Sequence, residues 1–187
     1  KSYFSKHGLS LYKTNSILTF HQFLQKVFPD TRDIFKLEGF SLIPQTNLWQ
    51  TSSLAKMLEW ISQYWKMKYI STDSVSSSDF ILTNKSAPIW IYGTSLHFMN
   101  LYESGLRVDL PKDSIIIETG GTKGQFKQLS GEQIKSMISK MFNLPLSSIY
   151  SEYSMCEMAS QAYSTVENND YYFEFPTWCK IFVMEKN

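Results

Sequence analysis

The stretch Ser114–Tyr163, SIIIETGGTKGQFKQLSGEQIKSMISKMFNLPLSSIYSEYSMCEMASQAY, decides the fold. It opens on a β-branched run, Ser114 to Thr119, with three consecutive isoleucines. A short run of this kind fits a strand covered on both faces. Gly120, Gly121, Thr122, Lys123 and Gly124 follow. Three glycines in five residues allow positive φ and a close approach of backbone to a ligand. Ser130 with Gln133 three residues on has the spacing of a capping box, so a helix opens there. Ile134, Met137, Ile138 and Met141 recur at i, i+3, i+4 and i+7, which gives that helix one apolar face. Asn143-Leu144-Pro145 ends it, and Ser148 to Tyr153 reads as the next strand. The order strand, glycine loop, helix, strand predicts a parallel strand pair whose loops leave one edge. Ligands of open α/β sheets collect at that carboxyl edge.

Outward from this unit the same alternation continues. Ile17, Phe20, Leu24, Val27 and Phe28 predict a helix over Ser10–Phe28, stopped by Pro29-Asp30. Lys1 to Gly8 is polar and basic and reads as a solvated segment. Phe40 to Ile43 is a short strand before Pro44. Leu54, Met57, Leu58, Ile61 and Trp65 place a helix over Ser53–Trp65, capped by Ser52 or Ser53. Lys68 to Ile70 and Pro88 to Tyr92 read as strands, the second buried on both faces. Gly93-Thr94-Ser95 turns into a helix over Leu96–Ser104 that Gly105 ends. His97 lies in its first turn, where a core or capping histidine is one reading and the resemblance given below supplies a second. Beyond Tyr163, Ser164 to Asp170 is expected to be irregular, with strands at Tyr171–Phe175 and Thr177–Met184 around Pro176. The expected fold is a single α/β domain over residues 1–187, a largely parallel sheet flanked by helices.

Composition narrows the function classes. The chain has 187 residues, 43% hydrophobic and 19% charged, as a globular domain with a sizeable core has. A net charge of +1 gives no electrostatic footprint for nucleic acid. No apolar run reaches the ~20 residues of a membrane span. Cys156 and Cys179 have no metal-ligand or disulfide-framework spacing, which favours a reducing, cytoplasmic setting.

Tyr153-Ser154-Met155-Cys156-Glu157 resembles the Tyr-Gly-x-Thr-Glu motif of the adenylate-forming enzymes, the acyl- and aryl-CoA synthetases and their relatives. Within that superfamily the chain most resembles the acyl-protein synthetases of the luciferase fatty-acid reductase system. Further matching residues are Ser5-Lys6-His7 with Leu11-Tyr12, Phe40 to Pro44, Ser52 to Met57, Tyr92-Gly93-Thr94 with Leu96-His97-Phe98, Glu118 to Gly124, and, around the motif, Ser151-Glu152 and Ser160 to Tyr163. The resemblance implies the central part of a large N-terminal domain, with the phosphate loop and the C-terminal lid domain outside this chain. It implies ATP and Mg²⁺ as cofactors, a fatty acid or other carboxylate as substrate, and an acyl-accepting protein or acyl reductase as partner. Tyr153 would stack on adenine, with Ser154 beside it. Gly120, Gly121 and Thr122 would let the backbone reach the nucleotide, and Glu157 would hold Mg²⁺. Tyr92, Gly93 and His97 would line the acyl pocket. Cys156 stands where the motif has a threonine, and Ser154 where it has a glycine; a thiol donates more weakly than a hydroxyl. Two other readings stand beside the ligase. One is a member that binds nucleotide or acyl chain without turnover. The other is a thiol acyltransferase using Cys156 with His7 or His97.

Overall fold

The structure, a computed structural model, describes residues 4–71, 76–80, 87–120, 129–155, 158–167 and 170–182. Four helices and seven strands carry the fold: α1 (Lys6–Val27), β1 (Glu38–Ser41), α2 (Ser53–Ile61), β2 (Met67–Tyr69), β3 (Ile89–Thr94), α3 (Ser95–Glu103), β4 (Ile115–Thr119), α4 (Gly131–Phe142), β5 (Ile149–Met155), β6 (Ser160–Glu167) and β7 (Asp170–Glu174). The strands form one sheet in the order β2-β1-β3-β4-β5-β6-β7. The first five are parallel, and β6 and β7 continue the sheet antiparallel. The α/β class expected from the sequence is the one observed. No helix among the described residues is long and apolar enough to cross a membrane.

Consecutive side chains of a strand point to opposite faces, and here both faces are covered. Trp90, Tyr92, Ile115 and Ile117 meet Phe20, Phe23 and Leu24 of α1 and Met57, Leu58 and Ile61 of α2. Ile89, Ile91, Ile116 and Ile149 meet Phe98 and Leu101 of α3 and Ile134, Ile138 and Met141 of α4. The three isoleucines of β4 are thus divided between two cores, which is why the run is continuous rather than alternating.

The helix ends follow local chemistry. Ser130 Oγ accepts from Gln133 N at 3.2 Å while Gln133 Oε1 accepts from Ser130 N at 2.7 Å, the expected capping box. Asn143 closes α4 in the left-handed region at φ 50, and Gly105 follows α3 at φ 81. Ser52 caps α2 through a hydrogen bond from Ala55 N at 3.1 Å. The described part of the polar start is exposed, as expected, but helical: Ser5 Oγ accepts from Gly8 N at 3.1 Å and α1 begins at Lys6. One expectation is corrected: Ser164–Glu167 is not irregular, because β6 runs to Glu167 and pairs with β7. Past Pro176 the described residues form a turn and no strand.

One close approach fixes the register of β1 on β3. Gly39 is paired with Trp90, and a Cβ on Gly39 would overlap the fully buried indole ring. The smallest residue of one strand makes room for the largest of the next. Gly39→Ala should therefore cost about 1–3 kcal/mol, as overpacking of a core does. In a urea-denaturation double-mutant cycle with Trp90→Leu, the two losses should fall short of their sum by at least about 0.5 kcal/mol. Strict additivity would show that the ring does not occupy the space above Gly39.

Candidate functional site

The strand order reverses between β1 and β3: β2 lies to one side of β1, and β3, β4 and β5 lie to the other. In doubly wound sheets the crevice beyond the carboxyl ends of such strands is where ligands bind. Here that edge is built from the ends of β1, β3, β4 and β5.

At the end of β1, Ser41 Oγ donates to Ile43 O at 2.9 Å and accepts from Ile43 N at 3.1 Å, which turns the chain out of the sheet. β3 passes into α3 without a loop. Thr94 Oγ1 accepts from His97 N at 3.2 Å, and His97 Nδ1 accepts from Thr94 N at 3.3 Å, so a histidine serves as the reciprocal partner of a capping box. Accepting at Nδ1 leaves the proton on Nε2. Burial lowers the pKa of the ring further, and its face stacks on half-exposed Trp49 with centroids 5.9 Å apart. Of the two readings of His97, the cap is realised.

Two buried carboxylates mark the ends of β4 and β5. Glu118 is paired with Ser151 and Thr119 with Glu152, so the acids point to opposite faces. Glu118 lies on the side of α3 and α4, where its carboxylate accepts from Ser95 Oγ, the first residue of α3. Burial raises its pKa, and the hydroxyls of Ser95 and Ser151 and the charge of Lys135 hold it back. Lys135, buried on α4, is shifted down by the same desolvation and places Nζ 4.2 Å from the ring centroid of Tyr171. Glu152 lies on the opposite side, beneath α1, at 3% exposure. Burial raises its pKa most, and Glu118 adds to the rise.

The residues expected to touch nucleotide are partly gathered here. Gly120 follows the last residue of β4, exposed, with nothing among the described residues within 4 Å of where a Cβ would stand. Tyr153, one position beyond Glu152, is half-exposed. Its ring meets Phe173 at 5.6 Å and Phe175 at 5.9 Å, and together they make an aromatic shelf over the end of the sheet. Ser154 is half-buried next to it. Gly121, Thr122, Lys123, Cys156 and Glu157 lie outside the described residues. Among the described residues no three His, Cys, Asp or Glu side chains converge as a metal cluster.

The expected acyl-pocket residues are placed differently from one another. Tyr92 is fully buried beneath α1, beside Glu152 and Tyr163. Gly93 is packed so closely that a Cβ would come within 2.9 Å of Leu42 and 3.0 Å of Phe98. A groove of about 580 Å³ does open on the α1 side, but its walls are Phe23, Lys26, Tyr150, Tyr163, Glu174 and Pro176. A smaller one of about 440 Å³ lies between α3 and α4, against Tyr102, Gln133 and Met137. Neither contains Tyr92, Gly93 or His97.

Sequence reasoning gave no role to Glu152, Ser95 or Lys135. Glu152 precedes the tyrosine of the motif inside a strand pattern, and that position was its signal. No protein-family model matches the chain, and no curated protein matches it.

The histidine cap carries a pH dependence. The folded pKa of His97 lies below its ordinary value of 6.5, so the unfolded chain takes up the proton first. His97 therefore contributes stability above pH 6.5 that is lost as pH falls through the folded pKa. His97→Gln keeps a capping-box partner without a titrating ring. In urea denaturation, wild type should lose more stability than the variant between pH 7 and pH 5. An equal response of both proteins would remove His97 from the pH dependence.

Proposed function

We propose that this chain carries the nucleotide-facing edge of a carboxylate-activating enzyme, one that joins a fatty acid to the α-phosphate of ATP and passes the acyl group to a protein thiol. The observation that supports it most is topological. The two blocks that carry the resemblance, Glu118 to Gly124 and Ser151 to Glu157, are separated by α4, yet their described parts lie on adjacent parallel strands, because Glu118 pairs with Ser151 and Thr119 of β4 with Glu152 of β5. Gly120 and the Tyr153 ring are both exposed at the carboxyl edge of that pair.

In the reaction, a carboxylate oxygen attacks the α-phosphorus, the bond to the β-phosphate breaks, and pyrophosphate leaves. A thiolate then attacks the acyl carbon and AMP departs. The chain's share is positioning and charge stabilisation. The shelf of Tyr153, Phe173 and Phe175 offers a ring face to the base, where stacking is worth about 1–3 kcal/mol. Gly120 leaves its backbone open to the phosphates. Glu118 and Glu152 are buried on opposite faces, and the resemblance gives Mg²⁺ to Glu157. One carboxylate with the substrate's own phosphate oxygens suffices for Mg²⁺, which would neutralise the charge that develops on pyrophosphate.

Binding without turnover is the second reading. What favours it is the packing of Tyr92 and Gly93 into the core, with Leu42 and Phe98 against Gly93 among the described residues. ATP–pyrophosphate exchange with a panel of fatty acids, run on the full chain, separates the two. The ligase predicts carboxylate-dependent exchange that falls about 10²–10³-fold in Glu157→Gln, the size expected for loss of one transition-state contact. Cys156→Ser, which restores a hydroxyl, should retain exchange. Stabilisation by ATP without exchange from any acid would leave the binding reading and remove the ligase.

A further inference from the structure

Six buried side-chain polar atoms lack a hydrogen-bond partner among the described residues, and five of them belong to one cluster: Ser16 Oγ, Tyr92 OH, both carboxylate oxygens of Glu152, and Gln161 Oε1. These residues come from α1, β3, β5 and β6 and are all fully or almost fully buried beneath α1.

The cluster is held in place by bonds that leave its acceptors free. Gln161 Nε2 donates to Ser16 O at 2.9 Å and to Tyr163 OH at 3.3 Å. A carbonyl oxygen as partner fixes which end of the amide is nitrogen, so Oε1 is a true orphan acceptor. Tyr163 pairs in register with Glu152. The hydroxyls of Ser154, Thr119 and Tyr92 pull the Glu152 pKa down against burial, yet none meets the carboxyl in hydrogen-bond geometry. The neighbouring charge acting on Glu152 is negative, that of Glu118.

Such a group is expensive. A buried carboxylate that is neither paired nor hydrogen-bonded costs several kcal/mol, and orphan acceptors around it add to the cost. Each carboxylate oxygen accepts two hydrogen bonds and the amide oxygen two more, whereas the hydroxyls supply one proton each. The cluster is thus rich in hard oxygen acceptors and short of positive charge. Both deficits are met by the same thing.

We propose that Glu152, Tyr92, Gln161 and Ser16 form a buried oxygen site for a monovalent cation of the potassium or sodium type. Charge sets the class. One carboxylate is neutralised by one positive charge, whereas a divalent ion would leave a net buried charge as costly as the one it removed. Oxygen ligands without nitrogen or sulfur suit a hard cation. The site lies on the face of the sheet under α1 and ties that helix to β3, β5 and β6, so its readout is stability rather than turnover.

The test is thermal unfolding of the full chain in potassium, sodium, tetramethylammonium and magnesium chlorides at constant ionic strength. Potassium or sodium should raise Tm saturably, by about 5 °C at a hundredfold excess over the dissociation constant, and tetramethylammonium, too large for the site, should not. The arm with the lower midpoint identifies the ion. Glu152→Gln should abolish the response and be no less stable than wild type in tetramethylammonium, since it removes the buried charge. Tyr92→Phe keeps the ring and removes one ligand oxygen, so it should raise the midpoint at least about threefold; it decides the matter should Glu152→Gln not fold. The same Tm in every salt, a response to magnesium alone, or an undiminished response in Glu152→Gln or Tyr92→Phe would overturn the site.

Discussion

The central strands are buried on both faces, and that constraint orders the rest of the molecule. A strand with helices on each side has no place for a charge along its length. β3 reads Ile89-Trp90-Ile91-Tyr92 and β4 reads Ile115-Ile116-Ile117 because each of these side chains enters one of two cores. Polar groups are pushed to the strand ends, where helix N-termini and hydroxyls can receive them. Glu118 finds Ser95 and Ser151 there, and Thr94 finds the N–H of His97. The chemistry gathers at the carboxyl edge because the middle of the sheet excludes it.

Crowding at the middle has its own signature. Trp90 is fully buried only because Gly39 lies beside it, and Gly93 is flanked by Leu42 and Phe98. Both glycines serve close packing rather than a turn. This is why Gly93 could be read from sequence as the mouth of a pocket and turn out to be its opposite. A glycine after a buried strand has the same appearance whether the space above it is empty or filled by a ring from another element, and only the tertiary partner decides.

The same distinction explains what the sequence discloses and what it withholds. Local signals were readable: the isoleucine run, the Ser130–Gln133 capping box, the Asn143 stop and the Ser52 cap are each set within a few residues. β6 was not readable, because its inward residues include Ser160, Gln161 and Ser164, and a buried polar face gives no hydrophobic alternation. Gln161 and Ser160 meet Ser16 and Thr19 of α1, contacts some 140 residues apart in the chain, and Ser164 accepts from Ser151 N of β5. The start of α1 was missed for a smaller reason: its first turns are polar and exposed, and only the Ser5 cap marks the beginning. The site divides in the same way. Gly120 and Tyr153 were placed at one edge by the order of elements alone, whereas Glu152 depends on which face of β5 lies beneath α1.

The two glutamates also show how one edge sustains opposite environments. They are neighbours across β4 and β5, offset by one position, so the pleat sends them through opposite faces of the sheet. Glu118 meets hydroxyls and Lys135, an arrangement that offsets part of its desolvation within the protein. Glu152 meets tyrosine hydroxyls, an amide already committed through its nitrogen, and the field of Glu118 itself. The first is a closed structural element that anchors α3 and α4 to β4. The second is open in the chemical sense, since its acceptors have no donors. A one-residue offset in register therefore separates a carboxylate that holds the fold together from one that calls for a cation, and no inspection of either residue in sequence distinguishes them.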